Sequence, residues 1–143
     1  MEPAVLAQGY VDAFNAGDEE ALRALYHPDA TIKRPTWPSD GDVQASLESI
    51  RLDFGAYPDG RIQVRQLVVQ ARTAVVEFQF EGTNTRPLTL FNGQQVPATG
   101  RPLRLGGTIM LEFDADGLIT SERQFWEVFP LVEFWIGVGL IRT

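Results

Sequence analysis

The sequence contains no cysteine, and this absence excludes several kinds of site. No disulfide, thiolate metal ligand or cysteine nucleophile can form, so zinc is disfavoured. A cytoplasmic protein without disulfide cross-links is expected. The opening residues Met1–Ala4 lack the basic flank and apolar stretch of a secretory signal. Positive charge is also scarce, because 12 Lys and Arg face 19 Asp and Glu, which gives a net charge of −7. Nucleic acid and anionic membrane surfaces are therefore not expected as partners.

A hydrophobic run long enough to span a bilayer is missing as well. Apolar residues are densest in Val128–Ile141, but Pro130, Glu133 and two glycines interrupt them. The segment is also shorter than the roughly 20 residues that a membrane span needs. We expect it to pack on the protein itself or on a partner. The whole chain of 143 residues, 44% of them apolar, suffices for a real core and predicts a single domain over residues 1–143.

Helical spacing dominates the first part of the chain. Residues 6–14 place apolar side chains at i, i+4, i+7 and i+8 behind Pro3, and Gly17 ends this predicted helix. Asp18 and Asp42 stand where an N-cap side chain begins a second and a third helix. The chain therefore opens with a helical hairpin and adds a further helix later.

Turn-forming residues separate these helices. His27-Pro28-Asp29 is interpreted as a turn, and Ala30–Arg34 as a short strand that Pro35 ends. The stretch Pro35–Gly41 holds two prolines and Trp37, so it is predicted to be a surface loop or a lip over a pocket.

After the third helix the apolar period changes to two, which predicts strands. Residues 85–90 are candidates for extending the sheet, before a loop at Asn92-Gly93. Asp114–Gly117 has the composition of a tight hairpin turn. The predicted strands are 62–69, 76–80, 103–113 and 118–128. Helices followed by an antiparallel sheet predict an α+β fold in which the helices cover one face of the sheet.

Four segments of the chain resemble, in order, the motifs of one known family. They are Tyr10–Asp18, His27–Thr31, Pro97–Leu103, which is similar to a "PPTGR" motif, and Asp116–Glu127, which is similar to a terminal "DGKI…WRDYFD" signature. This is the SnoaL-like branch of the nuclear transport factor two-like superfamily. The resemblance implies a cone-shaped, curved antiparallel sheet wrapped by N-terminal helices, an apolar pocket in its mouth, and commonly a homodimer through the outer sheet face. Its members include polyketide cyclases, steroid isomerases, epoxide hydrolases and binding-only modules, so the fold alone does not decide the activity.

The resemblance also implies positions for proton transfer, and three of them carry other residues here. Gln124 stands where the cyclases have an acid/base aspartate, and Ile109 where they have a histidine. Arg34 stands at the base position of the steroid isomerases, where a permanent cation can bind an anionic or enolate oxygen but cannot remove a proton. Tyr10 matches the tyrosine with which the isomerases hold a developing oxyanion. The alternative for Tyr10 is a helix residue whose hydroxyl a neighbour satisfies.

The last predicted strand supplies a substitute acid. Glu122, Gln124 and Trp126 alternate onto one face of it. If Gln124 points inward, Glu122 is the candidate acid, and Asp40 and Asp53 are lesser candidates. The alternative for all three carboxylates is a solvated or Arg-paired surface charge. The single histidine, His27, is assigned a structural role, because turn chemistry accounts for it.

The predicted ligand is a small apolar or polycyclic carbonyl compound, with no metal and no cofactor. Three functions stay open: a cyclase-type or isomerase-type acid/base enzyme, a binding module without turnover, and an interaction protein that uses its sheet face and C-terminal segment. The residues predicted to contact the ligand share a place around the expected pocket: Tyr10, Arg34, Trp37, Phe54, Ile109, Leu111, Gln124 and Trp126.

Overall fold

Four helices and seven strands follow one another in the computed structural model, which describes residues 2–89, 93–127 and 129–137. In chain order they are α1 Pro3–Ala16, α2 Glu19–Ala24, β1 Tyr26–Lys33, α3 Val43–Ala56, β2 Arg61–Gln70, β3 Thr73–Thr83, β4 Leu88–Thr89, β5 Gln95–Val96, β6 Pro102–Phe113, β7 Ile119–Trp126 and α4 Phe129–Gly137.

The helix boundaries follow the predicted capping residues. Gly17 takes a left-handed conformation, with φ of 62°, and ends α1. The Asp18 side chain accepts a hydrogen bond from the amide of Ala21, and the Asp42 side chain accepts one from Ala45. Both aspartates satisfy a free amide of a first helical turn, which confirms their predicted role as N-caps.

Five strands form one sheet in the order β1-β7-β6-β3-β2. Neighbouring strands are antiparallel except for β1, which runs parallel to β7. The predicted α+β class with a curved antiparallel sheet is confirmed, and the parallel pairing of β1 with β7 is confined to one edge of the sheet. The chain reaches β1 through helices and not through a hairpin, so nothing local obliges β1 to run antiparallel to its neighbour.

The segment after β3 leaves the main sheet. Leu88–Thr89 pairs with Gln95–Val96 in a separate two-stranded sheet, so the prediction that residues 85–90 extend the main sheet is wrong. The side chain of Asn84, which is buried, hydrogen-bonds to backbone groups on both sides of the segment and turns the chain away. Residues 90–92 of the predicted loop lie outside the described residues.

The predicted turn at His27-Pro28-Asp29 is also wrong, because these residues lie within β1. The register between β1 and β7 shifts between Tyr26 and Thr31, which places an irregularity in the strand. Inside it the His27 ring accepts a hydrogen bond from the amide of Asp29, so turn-like local chemistry is kept within a strand. The irregularity leaves Tyr26 buried at the beginning of β1.

The core lies between the helices and one face of the curved sheet. Ile109, Leu111 and Phe113 share the buried face of β6, as predicted. On the outer face Val68 and Phe125 are about half exposed, at 50% and 46%. The homodimer through this face stays a prediction.

The apolar C-terminal segment forms α4, which packs against β6. Val128 and residues 138–143 of the predicted segment lie outside the described residues. Within the described part of the chain, no helix has the length and apolar character required to cross a bilayer.

Candidate active site

A buried carboxyl group, that of Glu122, lies at the centre of a polar cluster inside the fold. Glu122 is 0% exposed. The Tyr26 hydroxyl donates a hydrogen bond of 2.5 Å to Oε1 of Glu122, and the Tyr10 hydroxyl donates one of 3.2 Å to Oε2. The cluster therefore joins α1, the beginning of β1 and the middle of β7.

Gln124 completes the cluster from the same face of β7. Its Nε2 donates to Oε2 of Glu122 at 2.6 Å, and its Oε1 accepts a hydrogen bond of 3.0 Å from the Trp126 indole nitrogen. An indole N–H can only donate, so this bond fixes which end of the Gln124 amide faces Glu122. Glu122, Gln124 and Trp126 share one face of β7, as predicted, and the burial of Glu122 and Gln124 shows that this face points toward the core.

The Glu122 carboxyl group is hydrogen-bonded by three side chains. Three donors, from Tyr10, Tyr26 and Gln124, point at its two oxygens. The distance of 2.5 Å to Tyr26 is typical of a hydroxyl that donates to a carboxylate. Burial raises the pKa of both tyrosines well above its usual value, and the negative charge of Glu122 raises it further. Both hydroxyls therefore stay protonated and available as donors.

Arg34 supplies positive charge close to the cluster. It follows β1 directly and is only 4% exposed. Its charge lowers the pKa of Tyr10 and Tyr26, against the larger effect of burial, so its field reaches both hydroxyls. One nitrogen, Nη1, donates to the Ser49 hydroxyl at 3.1 Å and lies 3.6 Å from a carboxylate oxygen of Asp53.

Asp53, one of the predicted lesser candidates, is a partner of Arg34. Burial raises the pKa of Asp53 to about 6, although the Arg34 guanidinium acts in the opposite direction. Because 48% of the Asp53 side chain is exposed, solvent screens much of this effect. The other lesser candidate, Asp40, is exposed in the Pro35–Gly41 loop.

The remaining predicted ligand contacts divide into two groups. Trp37 lies beside Arg34, whose guanidinium stands 5.5 Å from the centroid of the Trp37 ring. Ile109 and Leu111 are core residues on the strand next to β7. Phe54 instead packs against Phe14, with ring centroids 5.3 Å apart, and lines a different cavity.

Sequence reasoning missed the role of Tyr26 and Ser49. Helical spacing after Asp18 places Tyr26 on the apolar face of the second predicted helix, whereas Tyr26 begins β1 and makes the shortest hydrogen bond to Glu122. Ser49 stands three residues after Ser46 on α3, and this repeat of hydroxyls on a buried helix face is a signal that could have indicated a polar site.

Two surface cavities lie elsewhere. One, of about 450 Å³, is lined by the end of α1 and the Pro58–Arg61 turn, and the other, of about 580 Å³, by β2, β3, β6 and β7. Trp126 borders the second cavity, but Tyr10, Glu122 and Gln124 border neither. Among the described residues, no group of three or more His, Asp or Glu side chains is placed to hold a metal ion. The pocket predicted beside Gln124 stays a prediction.

Comparison with known proteins identifies the family. The SnoaL-like domain matches residues 7–122. A steroid Delta-isomerase from Nocardioides simplex is 32% identical over 117 residues, which cover 82% of this chain and 83% of that protein. The chain therefore belongs to the SnoaL-like domain family, as its motifs predicted.

Solved structures share the fold. IdmH, a proposed polyketide cyclase from Streptomyces antibioticus, superposes with a TM-score of 0.76 at 26% identity over 93% of this chain and 97% of its own. A SnoaL-like polyketide cyclase from Agrobacterium tumefaciens gives a TM-score of 0.71 at 16% identity over 94% of this chain and 98% of its own. At 16% identity the second likeness concerns the fold alone.

Proposed function

We propose that this protein is an acid/base catalyst that isomerises or cyclises a small, enolisable carbonyl compound, with Glu122 as the proton-transfer group. The observation that carries the proposal is the buried Glu122 carboxylate, held by Tyr10, Tyr26 and Gln124. Gln124 and Ile109 replace the aspartate and the histidine that the family's cyclases use for proton transfer, and Glu122 supplies a carboxylate in their place.

The chemistry follows from the positions of the charges. The carboxylate of Glu122 takes a proton from the carbon next to the substrate carbonyl, and the resulting enolate carries its negative charge on oxygen. The field of Arg34 stabilises that charge, since it already acts on the neighbouring tyrosines. Glu122 then returns the proton to another carbon, which shifts a double bond. Alternatively the enolate carbon attacks a second carbonyl, whose π electrons pass to its oxygen, and Glu122 gives its proton to the resulting alkoxide as the ring closes.

The hydrogen bonds to Glu122 give the other residues positioning roles. Tyr26 and Gln124 hold the two carboxylate oxygens from different sides, so the carboxyl group has one orientation. Trp126 holds Gln124 in turn. Because Glu122 is fully enclosed, substrate reaches it after a covering segment moves, and the Pro35–Gly41 loop with Trp37 over Arg34 is our candidate.

The relatives support this reading and suggest the assay. One is a steroid Delta-isomerase, so a β,γ-unsaturated steroid ketone is the first substrate to test, by following the conjugated product by absorbance. We expect Glu122→Gln, which keeps the shape but cannot take a proton, to lower kcat at least about a hundredfold. Glu112→Gln is the matched control, because Glu112 lies on the neighbouring strand with 47% of its side chain exposed. Equal rates in wild type and Glu122→Gln would refute the assignment.

A second function, binding without turnover, has one observation in its favour. The Glu122 oxygens already accept three hydrogen bonds, so a proton taken from a substrate has to displace one of these donors. A ligand that raises the melting temperature and is recovered unchanged after long incubation, with no isotope exchange at carbon, is the result that this alternative predicts.

A further inference from the structure

Two nitrogens of Arg34 have no hydrogen-bond partner among the described residues although they are buried. They are Nε and Nη2, and the Ser46 hydroxyl is in the same condition. Arg34 is 4% exposed and Ser46 0%, so surface water does not reach these groups as the fold stands. Buried donors are almost always paired, so these three groups require a partner that the described residues do not supply.

The geometry of the guanidinium indicates what kind of ligand. The Nη1 corner of Arg34 is already used by Ser49 and Asp53. The unused atoms, Nε and Nη2, form the side edge of the planar group, which presents two parallel N–H bonds. That edge matches the two oxygens of a carboxylate and binds them as a bidentate pair, whereas a single carbonyl oxygen satisfies only part of it.

The α3 helix places Ser46 on the same side as the groups that Arg34 contacts. Ser46, Ser49 and Asp53 stand at i, i+3 and i+7, which is one face of a helix. Arg34 contacts the second and third of them. Ser46 lies one helical turn before Ser49 on that face. From there its hydroxyl can bind a ligand that is held by the Nε and Nη2 atoms of Arg34.

We infer that the substrate is an oxo acid, whose carboxylate binds Nε and Nη2 of Arg34 with the Ser46 hydroxyl as a further partner. The carboxylate site stands on Arg34 and Ser46 alone, while the role of the ketone rests on the proposed function of Glu122. The ketone of the anchored molecule is the group on which the proposed chemistry of Glu122 acts. An uncharged steroid ketone leaves the free edge of Arg34 unpaired.

The test compares phenylpyruvate, an enolisable oxo acid, with its uncharged amide by isothermal titration calorimetry. We expect the acid to bind about tenfold more tightly or better, because the amide cannot form the charged bidentate pair. Arg34→Lys keeps the positive charge but removes the two parallel N–H bonds of the guanidinium. This variant should therefore lose most of the preference for the acid over the amide. Ser46→Ala should lower the affinity for the acid by a smaller factor than Arg34→Lys does. It should lower the affinity for the amide less than the affinity for the acid. Glu112→Gln, on the outer face, should change neither.

Circular dichroism and the melting temperature of each variant show whether it folds, and Ser46→Ala carries the test if Arg34→Lys does not. Equal affinity for acid and amide, no binding of the acid at millimolar concentration, or an unchanged preference in both variants overturns the inference.

Glu122→Gln separates the two proposals. If it binds the acid but does not exchange its protons, both hold. If wild type binds the acid without any exchange, only the proposed catalysis fails, and faster turnover of uncharged ketones with no acid binding defeats only the carboxylate site.

Discussion

The hydroxyl of Tyr26 lies 2.5 Å from Oε1 of Glu122, and the two residues are 96 positions apart in the chain. This bond ties the beginning of β1 to the middle of β7 in the interior of the protein. Through Oε2 of Glu122 the same carboxylate also reaches Tyr10 on α1. One acidic group therefore organises a helix and two strands, and it is the group to which the proposed chemistry belongs.

Tyr26→Phe should destabilise the protein by about 1–3 kcal/mol, because a buried carboxylate loses a charge-assisted hydrogen bond. The measurement is the free energy of unfolding in urea. In a Glu122→Gln background the same change should cost roughly half as much, because a neutral acceptor forms a weaker bond. Additive effects of the two substitutions would show that the tyrosine and the carboxylate are not coupled.

Tyrosine ionisation should be suppressed in the native protein. The chain has three tyrosines, and burial raises the pKa of Tyr10, Tyr26 and Tyr57 above the usual value near 10. A spectrophotometric titration should therefore show almost no tyrosinate at pH 10 until the chain unfolds. Since the folded pKa values are raised, their contribution to stability is complete below about pH 10 and is lost as the pH rises further. Half-ionisation of the native protein near pH 10 would contradict the buried cluster.

Asp53→Asn should remove a pH-dependent loss of stability. The pKa of Asp53 is raised from 3.8 to about 6 in the folded protein, so the native state holds this proton more tightly than the unfolded chain does. The contribution of Asp53 to the free energy of unfolding therefore falls as the pH rises from about 4 to about 6. The exposed 48% of the side chain makes the loss smaller than the full shift implies. The measurement is the free energy of unfolding in urea for wild type and Asp53→Asn from about pH 4 to about pH 6. If wild type became more stable relative to Asp53→Asn as the pH rises, the result would contradict the prediction.

Asp42→Ala should cost about 1 kcal/mol of stability, because the Asp42 side chain caps α3 at 2.9 Å from the amide of Ala45. The helix carries the residues that hold Arg34, so the affinity for phenylpyruvate should fall with it. Asp40→Ala is the matched control, since Asp40 is exposed in the loop just before the helix. Equal losses in the two variants would mean that the cap is not the cause.

Local sequence patterns predicted where α1 ends, where α2 and α3 begin, and which residues share a face of the last strand. The helix caps depend on contacts between residues that are close in the chain, so short stretches of sequence predicted them. They are Gly17, Asp18 and Asp42. Alternation placed Glu122 and Gln124 on one face, and a single buried neighbour decides which face is inward.

The contacts that make the site could not be predicted in the same way. Tyr26 meets Glu122 only because β1 is irregular after Tyr26 and runs parallel to β7 at the edge of the sheet. Arg34 likewise meets Ser49 only through the packing of β1 against α3. Both depend on long-range pairing, which short sequence patterns do not encode. The resemblance to the family indicated that Gln124 and Ile109 stand in place of proton-transfer residues. It did not indicate that Tyr26 hydrogen-bonds to Glu122, the carboxyl group proposed to replace them.

The most direct test of the account is hydrogen exchange at the carbon next to the ketone of phenylpyruvate, followed by proton NMR in deuterated water. If Glu122 is the proton-transfer group, wild type and Glu112→Gln accelerate the exchange above the buffer rate, and Glu122→Gln slows it at least about a hundredfold while keeping its fold. Exchange at the wild-type rate in a folded Glu122→Gln variant, or no acceleration by wild-type protein that binds the compound, would contradict the account.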